Sequence, residues 1–91
     1  MPRPRLRRRI CGTPCSNYFK PAGIGIRDLD EVILNHAEFE ALRLKDLQGH
    51  SQEECAKQME VSQPTFHRIL LSARKKTSEA IIKGKAIKII N

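Results

Sequence analysis

Ser62-Gln63-Pro64-Thr65-Phe66-His67-Arg68 places five hydrogen-bonding side chains within seven residues. A stripe made of Phe66, Ile69, Leu70, Ala73, Thr77, Ala80 and Ile81 starts inside it and recurs at helical spacing. With that stripe turned to a core, Gln63, Pro64, His67 and Arg68 face outward at the beginning of a helix. The chemistry open to them is recognition: Arg grips guanine O6 and N7 with two hydrogen bonds, and Gln does the same for adenine N6 and N7. Ser62 and Thr65 sit beside the unpaired amides of the helix start and suit phosphate oxygens. Arg74, Lys75 and Lys76 follow two turns later, where a backbone contact on a duplex would fall. His67 reads as a groove-facing polar residue in preference to a metal ligand or pH switch.

Those residues need a frame that presents them. Ser51 and Glu54 have the S-x-x-E spacing of a capping box, which starts a short helix carrying Cys55, Ala56 and Met59 inward. Ser62 can cap the next helix, and Pro64 is tolerated in a first turn whose amides lack helical partners. Between them Glu60-Val61-Ser62 forms a turn. A small residue mid-way along the first helix (Ala56), an apolar plug in the turn (Val61) and two apolar anchors on the second helix (Phe66, Ile69) together give helix-turn-helix spacing over Ser51 to about Lys76. Position 60 breaks the pattern: a turn of this kind wants Gly at positive φ, and Glu there costs roughly 1–2 kcal/mol.

Upstream, Asn35 can cap a helix with Glu38 three residues on, and Gly49 is placed to end it. Phe39, Ala41, Leu42, Leu44 and Leu47 wrap much of its wheel, so it should be covered on more than one side. Residues 12–28 carry Gly12, Pro14, Pro21, Gly23 and Gly25 and read as irregular loop, with Val32–Leu34 either extended or leading into the helix. After Gly84 the tail Lys85–Ile90 is strand-like and needs a partner, for which Arg8–Cys11 is the candidate. The expected organisation is a basic arm and loop-rich segment over 1–34, a helix-turn-helix domain over 35–84 and a strand-like tail over 85–91. The fold class is mainly α, a three-helix core with a short terminal β-pairing.

The chain has 91 residues and a net charge of +7, distributed unevenly. Residues 1–20 carry +6, residues 21–50 carry −3, residues 51–62 carry −2 and residues 63–91 carry +6. Two basic blocks around an acidic middle make an oriented footprint for a polyanion. Arg3, Arg5, Arg7, Arg8 and Arg9 form an arm suited to tracking phosphates or entering a minor groove. The start is too charged for a signal peptide and no apolar run reaches the length of a membrane span, so a cytoplasmic protein is expected. Cys11 and Cys15 form C-x3-C in a loop, Cys55 fits a core, and three histidines without ligand spacing give no zinc set and no cofactor. Without a phosphate-cradling glycine loop, a triad or paired carboxylates, no enzyme is expected.

Arg3-Pro4-Arg5, Asn17-Tyr18-Phe19-Lys20-Pro21-Ala22-Gly23, Glu38-Phe39-Glu40-Ala41-Leu42-Arg43-Leu44 and Ser51-Gln52-Glu53-Glu54 resemble a family of small prokaryotic proteins known as domain of unknown function 134, described as predicted DNA-binding proteins. The resemblance covers nearly the whole chain. Its central part is similar to region four of bacterial sigma factors, which implies a promoter-reading helix-turn-helix with Gln63, Pro64, His67 and Arg68 at the base-facing positions. Glu60 departs from the Gly that this similarity implies.

Three readings follow: a regulator that binds double-stranded DNA, an RNA-binding accessory protein, and a sigma-like adaptor docking on transcription machinery. The narrow major groove of A-form RNA disfavours the second. A single helix-turn-helix offers limited contact area, which makes a homodimer on a two-fold site the economical expectation, with helix 36–48 and the 85–90 tail as its contacts. If the arm touches phosphates, a truncation beginning at Ile10 will flatten the dependence of log Kd on log salt, as measured by fluorescence anisotropy on duplex DNA.

Overall fold

The computed structural model describes residues 16–90. Asn35 starts α1 (His36–Ala41): its Oδ1 accepts from the Glu38 amide at 2.8 Å, and Glu38 Oε1 accepts from the Asn35 amide at 3.0 Å. The reciprocal capping box expected from the spacing is therefore formed. The helix does not continue as α to Gly49. From Leu42 to Leu47 the chain widens into a π-helical segment, with the Gln48 amide bonded to the Arg43 carbonyl five residues back. The apolar residues of α1 and of this segment serve two clusters. Ala41 and Leu44 enter a cluster with Cys55, Ala56, Phe66 and Leu70, while Phe39 packs against a second cluster of Leu34, Ala73 and Ile89. Leu42 touches both. Leu47 is left 80 % exposed.

Gly49 takes φ +80° as expected of a helix stop. Ser51 Oγ then accepts from the Glu54 amide at 3.1 Å and opens α2 (Gln52–Met59). Cys55 and Ala56 are buried, as their positions required. At Glu60 the backbone turns left-handed, φ 60° and ψ 43°, and it is the one non-glycine residue with positive φ among those described. The Val61 amide closes back on the Ala56 carbonyl at 3.0 Å, and Val61 packs against the first cluster. Ser62 caps α3 (Gln63–Lys83), a helix of 21 residues ended by Gly84 at φ 69°.

The stripe along α3 holds from Phe66 through Leu70 and Ala73 to Ala80, all buried. It does not include Ile81, which is 73 % exposed. Beyond Ala73 the helix borders a small sheet, and Ala80 is the remaining buried position on it. That sheet holds β1 (Tyr18–Phe19), β2 (Glu31–Leu34) and β3 (Ala86–Ile89) in the order β1-β3-β2. The tail is thus its central strand. It pairs antiparallel with β1 (Tyr18 opposite Lys88) and parallel with β2 (Val32 opposite Ile87). The partners inferred from sequence, Arg8–Cys11, lie outside the described residues; the bonds that the tail needs are met by Tyr18–Phe19, within the segment expected to be loop, and by Glu31–Leu34, where the extended alternative for Val32–Leu34 is the one observed. Val32 and Leu34 turn inward on alternate positions, and Leu34 and Ile89 join Ala73. The segments bounded at 34 and 84 therefore share one core.

Glu60→Gly relieves the left-handed strain and removes a carboxylate from the negative end of α2. Greater backbone freedom in the unfolded chain offsets part of the gain. The net expectation is stabilisation by about 1 kcal/mol, read as a rise of roughly 4–8 °C in the melting midpoint. A fall in that midpoint would show that the Glu60 side chain contributes more than its backbone costs.

Candidate functional site

The first two turns of α3 are held by a compact hydroxyl network. Ser62 Oγ accepts from the Thr65 amide at 3.3 Å and donates to Thr65 Oγ1 at 2.9 Å, while an Arg68 Nη2–H reaches the same Oγ1 at 3.4 Å. Phe66 and Leu70 are wholly buried on the inner side. Opposite them Gln63, Pro64, His67 and Arg68 are all exposed, so the four residues expected to face outward do share one accessible surface. Leu71 continues that surface, 49 % exposed, and sequence reasoning assigned it no role. An outward Leu next to His67 and Arg68 is visible in the helical spacing once the inner stripe is fixed.

The five residues expected to meet phosphate divide differently. Ser62 and Thr65 lie at the helix start, with their hydroxyls engaged in the cap. Lys75 is exposed. Arg74 makes a two-pronged contact with Asp46, Nε to Oδ2 at 3.0 Å and Nη2 to Oδ1 at 2.6 Å. Lys76 turns toward the body of the protein, donating to the Ile33 carbonyl at 2.8 Å and to Glu38 Oε1 at 2.9 Å. The counting of Lys76 among outward cations therefore needs correcting. Its position, ten residues after Phe66, is close enough to the inner stripe for its long stem to cross toward α1 and β2. Arg3, Arg5, Arg7, Arg8, Arg9, Cys11 and Cys15 fall outside the described residues.

Glu38 is the residue that sequence reasoning undervalued. It was read as a capping partner, yet it is 4 % exposed and also accepts from the Ser72 hydroxyl, 34 residues away. Burial pushes its carboxyl up. Bonds from Ser72, the Asn35 amide and Lys76 outweigh that and leave it below the ordinary value. Asp46 is likewise held low, chiefly by its hydrogen bonds from Arg74, whose own pKa is raised in return. Lys85 does the same to Glu79. Burial raises the Cys55 thiol, as suits a core residue.

In helix 36–48 and the tail, the contacts expected for a dimer, Ala41, Leu44, Ala86 and Ile89 are buried within the chain and Phe39 and Leu42 pack partly against its core. The large apolar side chains left outside in those segments are Leu47, at 80 %, and Ile90, at 42 %. Ile81 and Ile82 are exposed at the far end of α3. Among the described residues no group of three or more His, Cys, Asp or Glu side chains could hold a metal ion, and no helix is long and apolar enough to cross a membrane.

A family model described as "Protein of unknown function DUF134" matches residues 1–91. The chain belongs to that family. Among relatives of this DUF134 protein, a "UPF0251 protein" of Halothermothrix orenii is 56 % identical over 88 residues, which are 97 % of this chain and 65 % of the relative. A UPF0251 protein of Caldanaerobacter subterraneus is 54 % identical, covering 98 % of this chain and 75 % of its own length. That of Moorella thermoacetica is 53 % identical over 98 % of this chain and 60 % of its own. The chain thus spans about two thirds of the length of the relatives it matches. No solved structure matches it.

Glu38, Asp46 and Glu79 all have folded-state pKa values below their ordinary ones. Groups of that kind contribute stability that is fully present above the unfolded pKa and is lost as pH falls through the folded value. Melting midpoints should therefore hold steady from neutrality down to the ordinary Glu value of 4.5 and fall below it. Glu38→Gln should cost about 1–3 kcal/mol at pH 7 and flatten the acid limb, by melts followed in circular dichroism. An acid limb as steep as that of the unaltered protein would assign the dependence to other carboxylates.

Proposed function

We propose that α2, the Glu60–Ser62 turn and α3 form a DNA-reading helix-turn-helix, and that the protein binds double-stranded DNA as a transcriptional regulator. The observation that carries this reading is the exposed row Gln63, Pro64, His67, Arg68 at the capped start of α3, opposite a fully buried Phe66 and Leu70. Side chains so placed reach base edges when a helix enters a major groove by its N-terminal turns. Arg68 is partly ordered by Thr65, which lowers the cost of fixing a long side chain on a base. The +6 charge of residues 63–91 and the basic residues 1–20 supply the attraction for a polyanion, and the −2 of residues 51–62 orients it.

In this reading Gln63 and Arg68 discriminate bases, Pro64 and His67 shape the fit, Lys75 and the first-turn amides take phosphates, and Leu71 suits the methyl group of a thymine. Two copies on a two-fold site would double the contact area that one short helix-turn-helix supplies. The protein acts by binding in the cytoplasm, with no catalytic step. An adaptor that docks on transcription machinery would use the same scaffold but would not need the Gln63–Arg68 row.

Fluorescence anisotropy with random-sequence duplex DNA and matched duplex RNA across a salt series tests the class. DNA preference with a steep salt slope is expected. After selection of a target sequence, Arg68→Ala should weaken binding by about 1–3 kcal/mol and relax one base position. Equal or absent binding to both duplexes would move the weight to the adaptor.

A further inference from the structure

Arg74 and Lys76 lie two residues apart on α3, and the protein has tied both to carboxylates in different ways. Lys76 is fixed: moving it would leave Glu38, 4 % exposed, without a charged partner, and would strip a bond from the Ile33 carbonyl of β2. Arg74 is not fixed in that sense. Its side chain is 46 % exposed and that of Asp46 37 %, so either can be released to water without orphaning a buried group. An exposed pair of this kind is worth no more than about a fivefold bias in equilibrium.

The geometry of the pair matches what Arg offers a phosphate. Two guanidinium N–H groups meet two oxygens of one planar anion, the fork that also grips a phosphodiester. Arg74 stands seven residues after His67, two turns or about 10 Å further along the same side of α3. It is exposed like Leu71 and Lys75 around it. Asp46 lies in the π-helical stretch Leu42–Leu47, on the side that meets Arg74 of α3, while Leu44 of the same stretch is in the core.

We propose that Asp46 is a built-in competitor for DNA: it occupies the phosphate-gripping fork of Arg74 in the free protein and is displaced when a backbone phosphate takes its place. The proposal rests on the DNA-binding reading above. Occupied by Asp46, Arg74 adds nothing to casual electrostatic contact with a polyanion. Once displaced, the Asp46 carboxylate faces a phosphate of like charge, which keeps the exchange from going to completion on a poorly seated duplex. The pair is therefore a brake on non-specific affinity that close docking of α3 overcomes.

A double-mutant cycle tests this, with Kd measured by anisotropy on random duplex DNA for the unaltered protein, Asp46→Asn, Arg74→Gln and the double variant, each first shown to be folded by its thermal melt. Removing a carboxylate tightens DNA binding somewhat through net charge alone, and the Arg74→Gln background measures that part. Asp46→Asn should tighten binding about threefold to fivefold more with Arg74 present than in that background. Equal tightening in both backgrounds would overturn the competitor while leaving DNA binding intact. A folded unaltered protein with no salt-dependent DNA binding would overturn the reading beneath it. Asp46 and Arg74 are both exposed, so the cycle does not depend on a core residue. Should Arg74→Gln nevertheless fail to fold, the conservative Arg74→Lys, which lacks the planar fork, replaces it with the same criterion.

Discussion

The Glu38 carboxylate joins the parts of this molecule that sequence keeps apart. It closes the capping box of α1, accepts from Ser72 on α3 and holds Lys76, which in turn reaches the carbonyl of Ile33 on β2. A buried charge is costly unless its hydrogen-bonding capacity is met, and here the donors come from the start of α1 and from two positions on α3, Ser72 and Lys76. The arrangement fixes where α1 crosses α3 and where the sheet docks against both. The outward row at the start of α3 is presented in one orientation because the other side of the same helix is tied down at Ser72 and Lys76.

The helical framework was readable because local signals agreed with one another. Asn35 with Glu38, Ser51 with Glu54 and Ser62 with Pro64 each mark a helix start through chemistry confined to four residues. The left-handed turn was visible at Glu60 despite the wrong residue type, since the spacing of Ala56, Val61 and Phe66 leaves the chain no other way to reverse. The same inner stripe located Gln63, Pro64, His67 and Arg68 on the outside by subtraction.

What could not be read depended on partners distant in the chain. Nothing near Lys88 announces that β3 will lie between Tyr18–Phe19 and Glu31–Leu34, because a four-residue strand carries no address. Asp46 and Arg74 are 28 residues apart and Glu38 and Lys76 are 38 apart, so Arg74 and Lys76 read as phosphate contacts and Glu38 as a local cap, with neither pairing visible in the spacing. The π-helical stretch was hidden for a related reason: a helix that faces two clusters has the composition of a poorly amphipathic α-helix, and nothing in that composition distinguishes α from π winding.

The place of β3 has a consequence for how the chain assembles. Among the described residues, strands β1 and β2 do not pair with each other; each pairs with β3. The pairing with β2 closes a loop that contains α1, α2 and α3, so its entropic cost is met only after those helices have packed and shortened the distance between the loop ends. Until then β1 and β2 lack the backbone partner that β3 supplies. The sheet is thus the late step of folding, a clasp fastened over a finished helical core, and the helices should gain native hydrogen-exchange protection before either flanking strand does.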